Sequence, residues 1–446
     1  MEAIVTLSAK QPSVEQVFRT VEQKRDRIIT LLRDLIKIPT VVPPGNNYGD
    51  LVNFVEPLFK KLGFTTERVI VPDEHIKAIP YPLEGPRINL VATREHGKKE
   101  AVTIYAHMDV VPIEEPWTKD PFAGIVENGK LYGRGACDTK GNLAAAILAV
   151  KAIKESKRPF KGRIILAIPV DEEGLMTGIK HMIKRGHLKG VDAAIICEPE
   201  QNQICISQKG ALRVRIEVSG KMSHGCMPLT GFNPILPMVE IIQRVKKLEK
   251  EEIENHGQDE FLGFPSITPT VLRAPIKGEP QLNVMPSGCE AMVDIRTIPG
   301  QSHEKLKSNL IRIVKDVERE FRKDLTSGWE KAIREQLKPG LSEGLSFSAG
   351  IDIFEDRPWT KTDRHERIVR AVAKAYRLVT GNEPIYNGVP GATDGTFIHA
   401  WAKIPIITTG AGDRMVPHQK DEWIGIDELV DAAKIFAISI LEFLGE

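Results

Sequence analysis

Cysteine is scarce in this chain, with five among 446 residues (Cys137, Cys197, Cys205, Cys226 and Cys289). The count is odd and no two form a Cys-x-x-Cys pair, which argues against a disulfide framework and for buried free thiols in a reducing cytoplasm. Charge of one sign is not in excess either. Lysine plus arginine number 61 against 60 aspartate plus glutamate, so nothing calls for nucleic acid or an anionic membrane as partner. No apolar run approaches the roughly 20 residues of a membrane span. The start, Met1-Glu2-Ala3-Ile4-Val5, lacks the basic and long apolar regions of a signal peptide, and none is expected. Internal repeats and low-complexity tracts are absent. What remains, 41% hydrophobic and 27% charged residues, is a soluble globular composition. The length favours two domains.

Apolar spacing predicts a helix over residues 14–38, ended by Pro39, and a second over 51–62, closed by Gly63. Strands and helices then alternate: strands at 87–93, 101–106, 163–170 and 193–197, helices at 141–155 and 178–185. Such alternation predicts a mainly parallel sheet with helices on both faces. Near Gln208 the pattern changes. Residues 213–218 alternate apolar and charged, and strands at 266–272 and 289–296 with helices at 233–254 and 302–322 suit a small α+β domain covered on one face. From about Arg364 the first style returns, with helices at 364–380, 395–401 and 427–444 and a strand at 404–408. The expected fold class is α/β: a mixed, mainly parallel sheet domain built from residues 1–207 and 358–446, with an α+β domain, 208–357, inserted.

The chemistry collects where the apolar runs stop. His107 and Asp109 follow one run, Glu172 and Glu173 another, and Glu198 a third. Asp138 ends the small-residue turn Gly133-Arg134-Gly135-Ala136-Cys137, and His418 follows Val416-Pro417. Taken singly each has a bland reading. His107-x-Asp109 suits a surface pair, Asp138 a helix N-cap, and Glu198 and His418 are unremarkable. Adjacent glutamates at a strand end are odder, since they repel unless a cation is near. Together, imidazoles and carboxylates at successive strand ends are the donor set for two divalent first-row metals, placed where open α/β sheets bind ligands.

These residues carry a resemblance that spans nearly the whole chain. His107-Met108-Asp109-Val110-Val111-Pro112, then residues 117–121 with Gly133-Arg134-Gly135-Ala136-Cys137-Asp138-Thr139-Lys140-Gly141, then Glu172-Glu173, Glu198-Pro199 and His418 resemble, in order, the motifs of the M20 metallopeptidase family. That group includes acetylornithine deacetylase, succinyl-diaminopimelate desuccinylase, aminoacylase and glutamate carboxypeptidase. The resemblance implies that His107 and Glu198 bind one zinc ion, that Glu173 and His418 bind the other, and that Asp138 bridges them. Cobalt or manganese are alternatives to zinc. Asp109 would orient His107, and Glu172 would be the general base that takes a proton from metal-activated water and returns it to the leaving amine.

The inserted domain would be the family's lid and dimerisation domain. Gly220-Lys221-Met222-Ser223-His224-Gly225 resembles its motif, which implies that His224 stabilises the oxyanion, often from the neighbouring subunit of a homodimer. Asn283 and Arg296 resemble the substrate-binding pair, an arginine fork being suited to a carboxylate, although Arg296 could instead pair with Asp294. Gly391-Ala392-Thr393-Asp394-Gly395 resembles the desuccinylase loop and puts Thr393 forward as a carboxylate contact at a helix start. Ala392 and a missing serine depart from that loop and leave diaminopimelate specificity in doubt. His365 and His399 match no motif and are assigned to structure. Glu198, where many family aminopeptidases and dipeptidases have aspartate, tilts the expectation toward deacylases and carboxypeptidases. The expected activity is hydrolytic removal of an acyl group from an N-acyl amino acid in the cytoplasm. Cleavage of short peptides by a dipeptidase or carboxypeptidase is the alternative, and a binding protein that kept only the fold the third.

Overall fold

The computed structural model describes residues 12–76, 83–97, 100–157, 160–341 and 345–445. The first eleven residues, where no leader is read, lie outside them. The chain divides into two compact units, one comprising Met1–Ser207, Thr360–Val389 and Thr393–Glu446, the other Gln208–Trp359 with Pro390–Ala392.

Four strands at the middle of the first unit's nine-stranded sheet are parallel, in the order Gly162–Ile168, Ala101–Tyr105, Ala193–Cys197, Ile406–Thr409. Antiparallel strands flank them: Ile88–His96 and Thr65–Ile70 on one side, Ile204–Gln208 on the other. The sheet is thus mixed with a parallel centre. Every residue of Ala101–Tyr105 and Ala193–Cys197 is buried, as expected for strands covered on both faces. Helices Lys140–Ser156, Arg367–Thr380 and Ile426–Gly445 pack together over one face. The other face builds a core with Tyr105, Ile165, Ala167, Ile196, Ile179, Met182 and Phe397. Because the central strands are parallel, their carboxyl ends share one edge, and the loops after all four deliver the proposed metal ligands there.

The second unit is an antiparallel sheet, Ser266–Arg273, Gly288–Thr297, Gly210–Ser219, Ser348–Arg357. Helices Ile235–His256 and His303–Ser327 bury one face through Leu212, Val214, Ile216, Ile241, Val245, Leu310 and Val314. Burial alternates along Gly210–Ser219, the signature of a sheet half open to solvent.

The structure departs from the sequence reading in several places, among them strands Thr65–Ile70 and Ile204–Gln208, which were not expected. The helix expected over 14–38 is two helices, Pro12–Glu22 and Arg25–Ile36, broken at Lys24, whose ammonium pairs with Glu155 at 3.1 Å. Helix Trp329–Leu337 and strand Ser348–Arg357 were not expected. Cys226 is exposed, although the other four cysteines are buried. No helix among the described residues is long and apolar enough to cross a membrane.

Ile165 is 2% exposed in the core of the first unit. Ile165→Ala is expected to cost about 2–5 kcal/mol through lost burial and a residual cavity, read as a lowered urea midpoint. Val126→Ala, at a site 46% exposed, should stay within about 0.5 kcal/mol.

Candidate metal centre

At the carboxyl edge of the parallel strands, His107, Asp138 and Glu173 bring one ligand atom each within 4.8 Å of one another. His107 follows Ala101–Tyr105, and its Nε2 lies 3.0 Å from Asp138 Oδ1. Its Nδ1 faces the Asp109 carbonyl at 3.1 Å and the Asp109 carboxylate at 3.6 Å. An N–H held at Nδ1 leaves Nε2 as the ligand atom. Asp109, fully buried, also accepts the Glu173 backbone N–H at 2.9 Å, so one carboxylate braces two proposed ligands. Asp138 presents its second oxygen to His418, with Oδ2 3.5 Å from Nε2, and the same His418 nitrogen lies 3.0 Å from Glu173 Oε1. Asp138 therefore stands between an imidazole on each side, as a bridging carboxylate must. Glu198, beyond Ala193–Cys197, is 6% exposed, and its Oε1 is buried with no hydrogen-bond partner among the described residues.

Two buried acids that sequence reasoning missed shape this edge. Glu422, 1% exposed, accepts the backbone N–H groups of Cys137 and Asp138 at 2.9 and 3.0 Å on Oε1 and the Arg134 guanidinium at 2.7 Å on Oε2. It fixes the turn that aims Asp138, whose peptide bond to Thr139 is cis. Asp171, 1% exposed, accepts Tyr48 Oη at 2.7 Å, Thr177 Oγ1 at 2.5 Å and Arg87 Nε at 3.3 Å. Its φ is +60°, a left-handed conformation that turns the chain so that Glu172 and Glu173 follow the strand onto the edge. The only available cue was position: Asp171 beside the glutamate pair and Glu422 four residues after His418.

The electrostatics are those of anions short of counter-charge. Burial, followed by the nearby Asp138 carboxylate, raises Glu173 and pushes Glu198 well above its ordinary range. Glu172 adds to the rise at Glu198, which places it beside the cluster. Burial also raises Asp138, yet hydrogen bonds and charge from His107 and His418 outweigh it and hold it low. Burial pulls His107 down, but Asp109 and Asp138 carry it well above the usual imidazole value. Hydrogen bonds to Asp138 and Glu173 push His418 up to about 11. Protons on the imidazoles thus supply positive charge that divalent cations would supply instead. The residues fit such ions: imidazole nitrogens and carboxylate oxygens of His107, Asp138, Glu173 and His418 converge, and Glu198 keeps a buried oxygen with no hydrogen-bond partner among the described residues.

The remaining candidates divide between the two units. In the first unit Thr393 is 8% exposed, its Oγ1 accepts the Gly395 N–H at 3.1 Å, and its carbonyl accepts Thr396 N–H at 3.0 Å. Those two donors, expected for a substrate carboxylate, are engaged within the turn. His399 holds the Ile404 carbonyl through Nδ1 at 3.1 Å. In the second unit His224 and Asn283 come together: Ser223–His224 pairs with Val284–Met285, and Gly225 N–H donates to the Asn283 carbonyl at 2.7 Å. His224 is exposed, and its Nδ1 accepts the Cys226 N–H at 3.2 Å, which leaves the proton on Nε2 as a donor. Arg296 lies apart from them. It occupies the far end of strand Gly288–Thr297, opposite Ala211, and its Nε lies 2.9 Å from Asp294.

The family model described as peptidase family M20/M25/M40 matches residues 103–442. The chain is 26% identical over 443 residues to the probable succinyl-diaminopimelate desuccinylase of Staphylococcus aureus strain N315, covering 94% of this chain and 98% of that one. It is 27% identical over 397 residues to the acetylornithine deacetylase of Myxococcus xanthus, covering 89% and 92%. Among solved structures the dipeptidase Dug1p of Saccharomyces cerevisiae superimposes with a TM-score of 0.71 at 18% identity, over 98% of this chain and all of that one. At that identity the likeness concerns the fold.

Zinc titrated into metal-stripped protein near pH 7.5 is expected to release protons, because His418, held up to about 11, must lose its proton to become a ligand. Apparent affinity should therefore fall as pH falls. Calorimetry in two buffers of different ionisation enthalpy checks this; identical observed heats in both would contradict it.

Proposed function

Because the chain belongs to peptidase family M20/M25/M40, a metal-dependent hydrolase of amide carbon–nitrogen bonds, we propose that it removes the acyl group from an N-acyl amino acid at a two-metal centre. The observation that carries the two-metal reading is Asp138, with one carboxylate oxygen toward His107 and the other toward His418. His107 and Glu198 would hold one divalent ion and Glu173 and His418 the other, zinc being the first choice for this donor set and cobalt or manganese alternatives. When bound, the ions supply Lewis acidity to the amide and its attacking water.

The protein's own groups do the proton work. Glu172 takes the proton of the attacking water and delivers it to the departing nitrogen. A base of that kind is worth about 10²–10⁴-fold in rate. Asp109 keeps the His107 imidazole in register. His224, with its proton on Nε2, donates to the oxygen that gains charge as the carbonyl is attacked, a contribution of ~3 kcal/mol. Asn283, beside it, would orient the substrate, and Arg296 would hold the substrate carboxylate once released from Asp294. Thr393 is the weaker candidate for the same duty.

Partner geometry favours a homodimer through the second unit. Arg296 lies about 26 Å along the strand from Gly288, near which His224 and Asn283 gather, at the ~3.3 Å rise of a strand. That separation supports a reading in which a second copy supplies one of the two sets. Strand Ser266–Arg273 offers an open sheet edge with Leu272 58% exposed. The relatives named for desuccinylation and deacetylation favour a deacylase acting on small cytoplasmic substrates. The dipeptidase fold neighbour keeps short peptides as the second reading.

The test is hydrolysis of a panel of N-acetyl and N-succinyl amino acids and dipeptides by stripped protein, before and after zinc or cobalt is restored. Glu172→Ala is expected to lose about 10²–10⁴-fold in kcat with metal content retained. Turnover of one N-acyl class supports the deacylase. Peptide cleavage alone would replace it by the second reading, and an unimpaired Glu172→Ala would remove Glu172 as base.

A further inference from the structure

The loop that carries His224 is gripped by a side chain that no motif marks. Residues 220–232 leave strand Gly210–Ser219 as an irregular excursion, closed at its neck by Lys221 and Phe232, whose backbones exchange hydrogen bonds at 3.0 and 2.9 Å. Beyond His224 the loop holds only one short 3-10 turn, Pro228–Thr230. Arg334, on helix Trp329–Leu337, spans that return segment from beneath. It is 1% exposed, and its guanidinium donates to the carbonyls of Leu229 and, at 2.9 Å, Gly231, while Glu330 on the same helix neutralises it.

Burying a guanidinium is costly, and an apolar residue would pack a helix here without that cost. What arginine adds is a planar fork that fixes two carbonyls at once. Gly231 passes that constraint on. A Cβ there would lie 2.4 Å from the Lys221 carbonyl and 2.9 Å from Ser223 Cβ, so Gly231 is in close contact with the segment that leads into His224. On the other side, among the described residues, His224 is tied by its pairing with Val284 and by the Met227 and Cys226 N–H groups.

We infer that Arg334 is a positioning residue for His224, holding the Leu229–Gly231 return so that the imidazole keeps one place. The inference rests on the reading of His224 as oxyanion donor. A donor fixed in advance needs no reorganisation as charge develops, so loosening it should lower kcat and spare KM.

The experiment uses full-length, metal-loaded protein and the panel substrate that it hydrolyses best. Arg334→Met, Arg334→Lys, His224→Gln and the double variant Arg334→Met/His224→Gln are compared. Arg334→Met is expected to lower kcat about tenfold, with KM and metal content unchanged and amide exchange accelerated over residues 220–232. Arg334→Lys should recover part of the loss, and it keeps the test open should Arg334→Met not fold. His224→Gln should fall about 10²-fold, and adding Arg334→Met to it should cost nothing further, since coupled residues are not additive. An equal tenfold loss in both backgrounds, or wild-type kcat in Arg334→Met, overturns the inference and leaves the His224 reading standing. Wild-type kcat in His224→Gln overturns that reading and the inference with it.

Discussion

Carboxylates crowded at one edge of a sheet, with little water to screen them, need positive charge beside them. Asp109, Asp138, Glu172, Glu173 and Glu198 meet that condition here, supported by two imidazoles. The raised Glu173 and Glu198 and the two raised histidines are two sides of one deficit: crowded anions favour protons on their neighbours. A pair of divalent cations, as proposed, would resolve it and would explain why the fold tolerates such a cluster. The parallel centre of the sheet follows from the same need, since only parallel neighbours bring four strand ends, and the loops after them, to a common edge.

The edge is kept rigid by ion pairs and hydrogen bonds that never touch the proposed metals. Asp171, with Tyr48, Arg87 and Thr177, fixes the turn behind the glutamate pair. Glu422, with Arg134 and two backbone N–H groups, fixes the turn behind Asp138. Each buried acid is matched by a cation and several donors, the condition under which buried charge specifies a geometry. In the second unit Arg334 plays the comparable part with signs reversed, a buried cation matched by carbonyls and Glu330. The loops that carry the proposed site residues are thus set by a second layer of charge.

Much of the first unit was legible because periodicity and function coincide there. Strands such as Ala193–Cys197 are short, wholly apolar and followed at once by a proposed ligand, so the sequence pattern and the proposed site mark each other. His418 had the weakest local cue of the proposed ligands, since the residue stands in a polar loop with φ of +66° and no periodic segment beside it. Asp171 and Glu422 were hidden because a buried acid and a solvated one look alike in a polar run; only the partners, distant in sequence, distinguish them. Strand Ser348–Arg357 was missed for a related reason. As an edge strand it is half exposed and carries Gly350, Asp352, Glu355 and Asp356, which dilute the alternation. Arg334 sits in a helix whose other residues are evenly divided between polar and apolar, so nothing in its spacing announced burial.

The central claim is that Asp138 bridges two cations, and anomalous scattering at the zinc edge from crystals of the zinc-loaded protein tests it most directly. The account predicts two peaks per chain on either side of Asp138, one beside His107 and Glu198, the other beside Glu173 and His418. A single peak, or peaks that leave Asp138 uncoordinated, would contradict it.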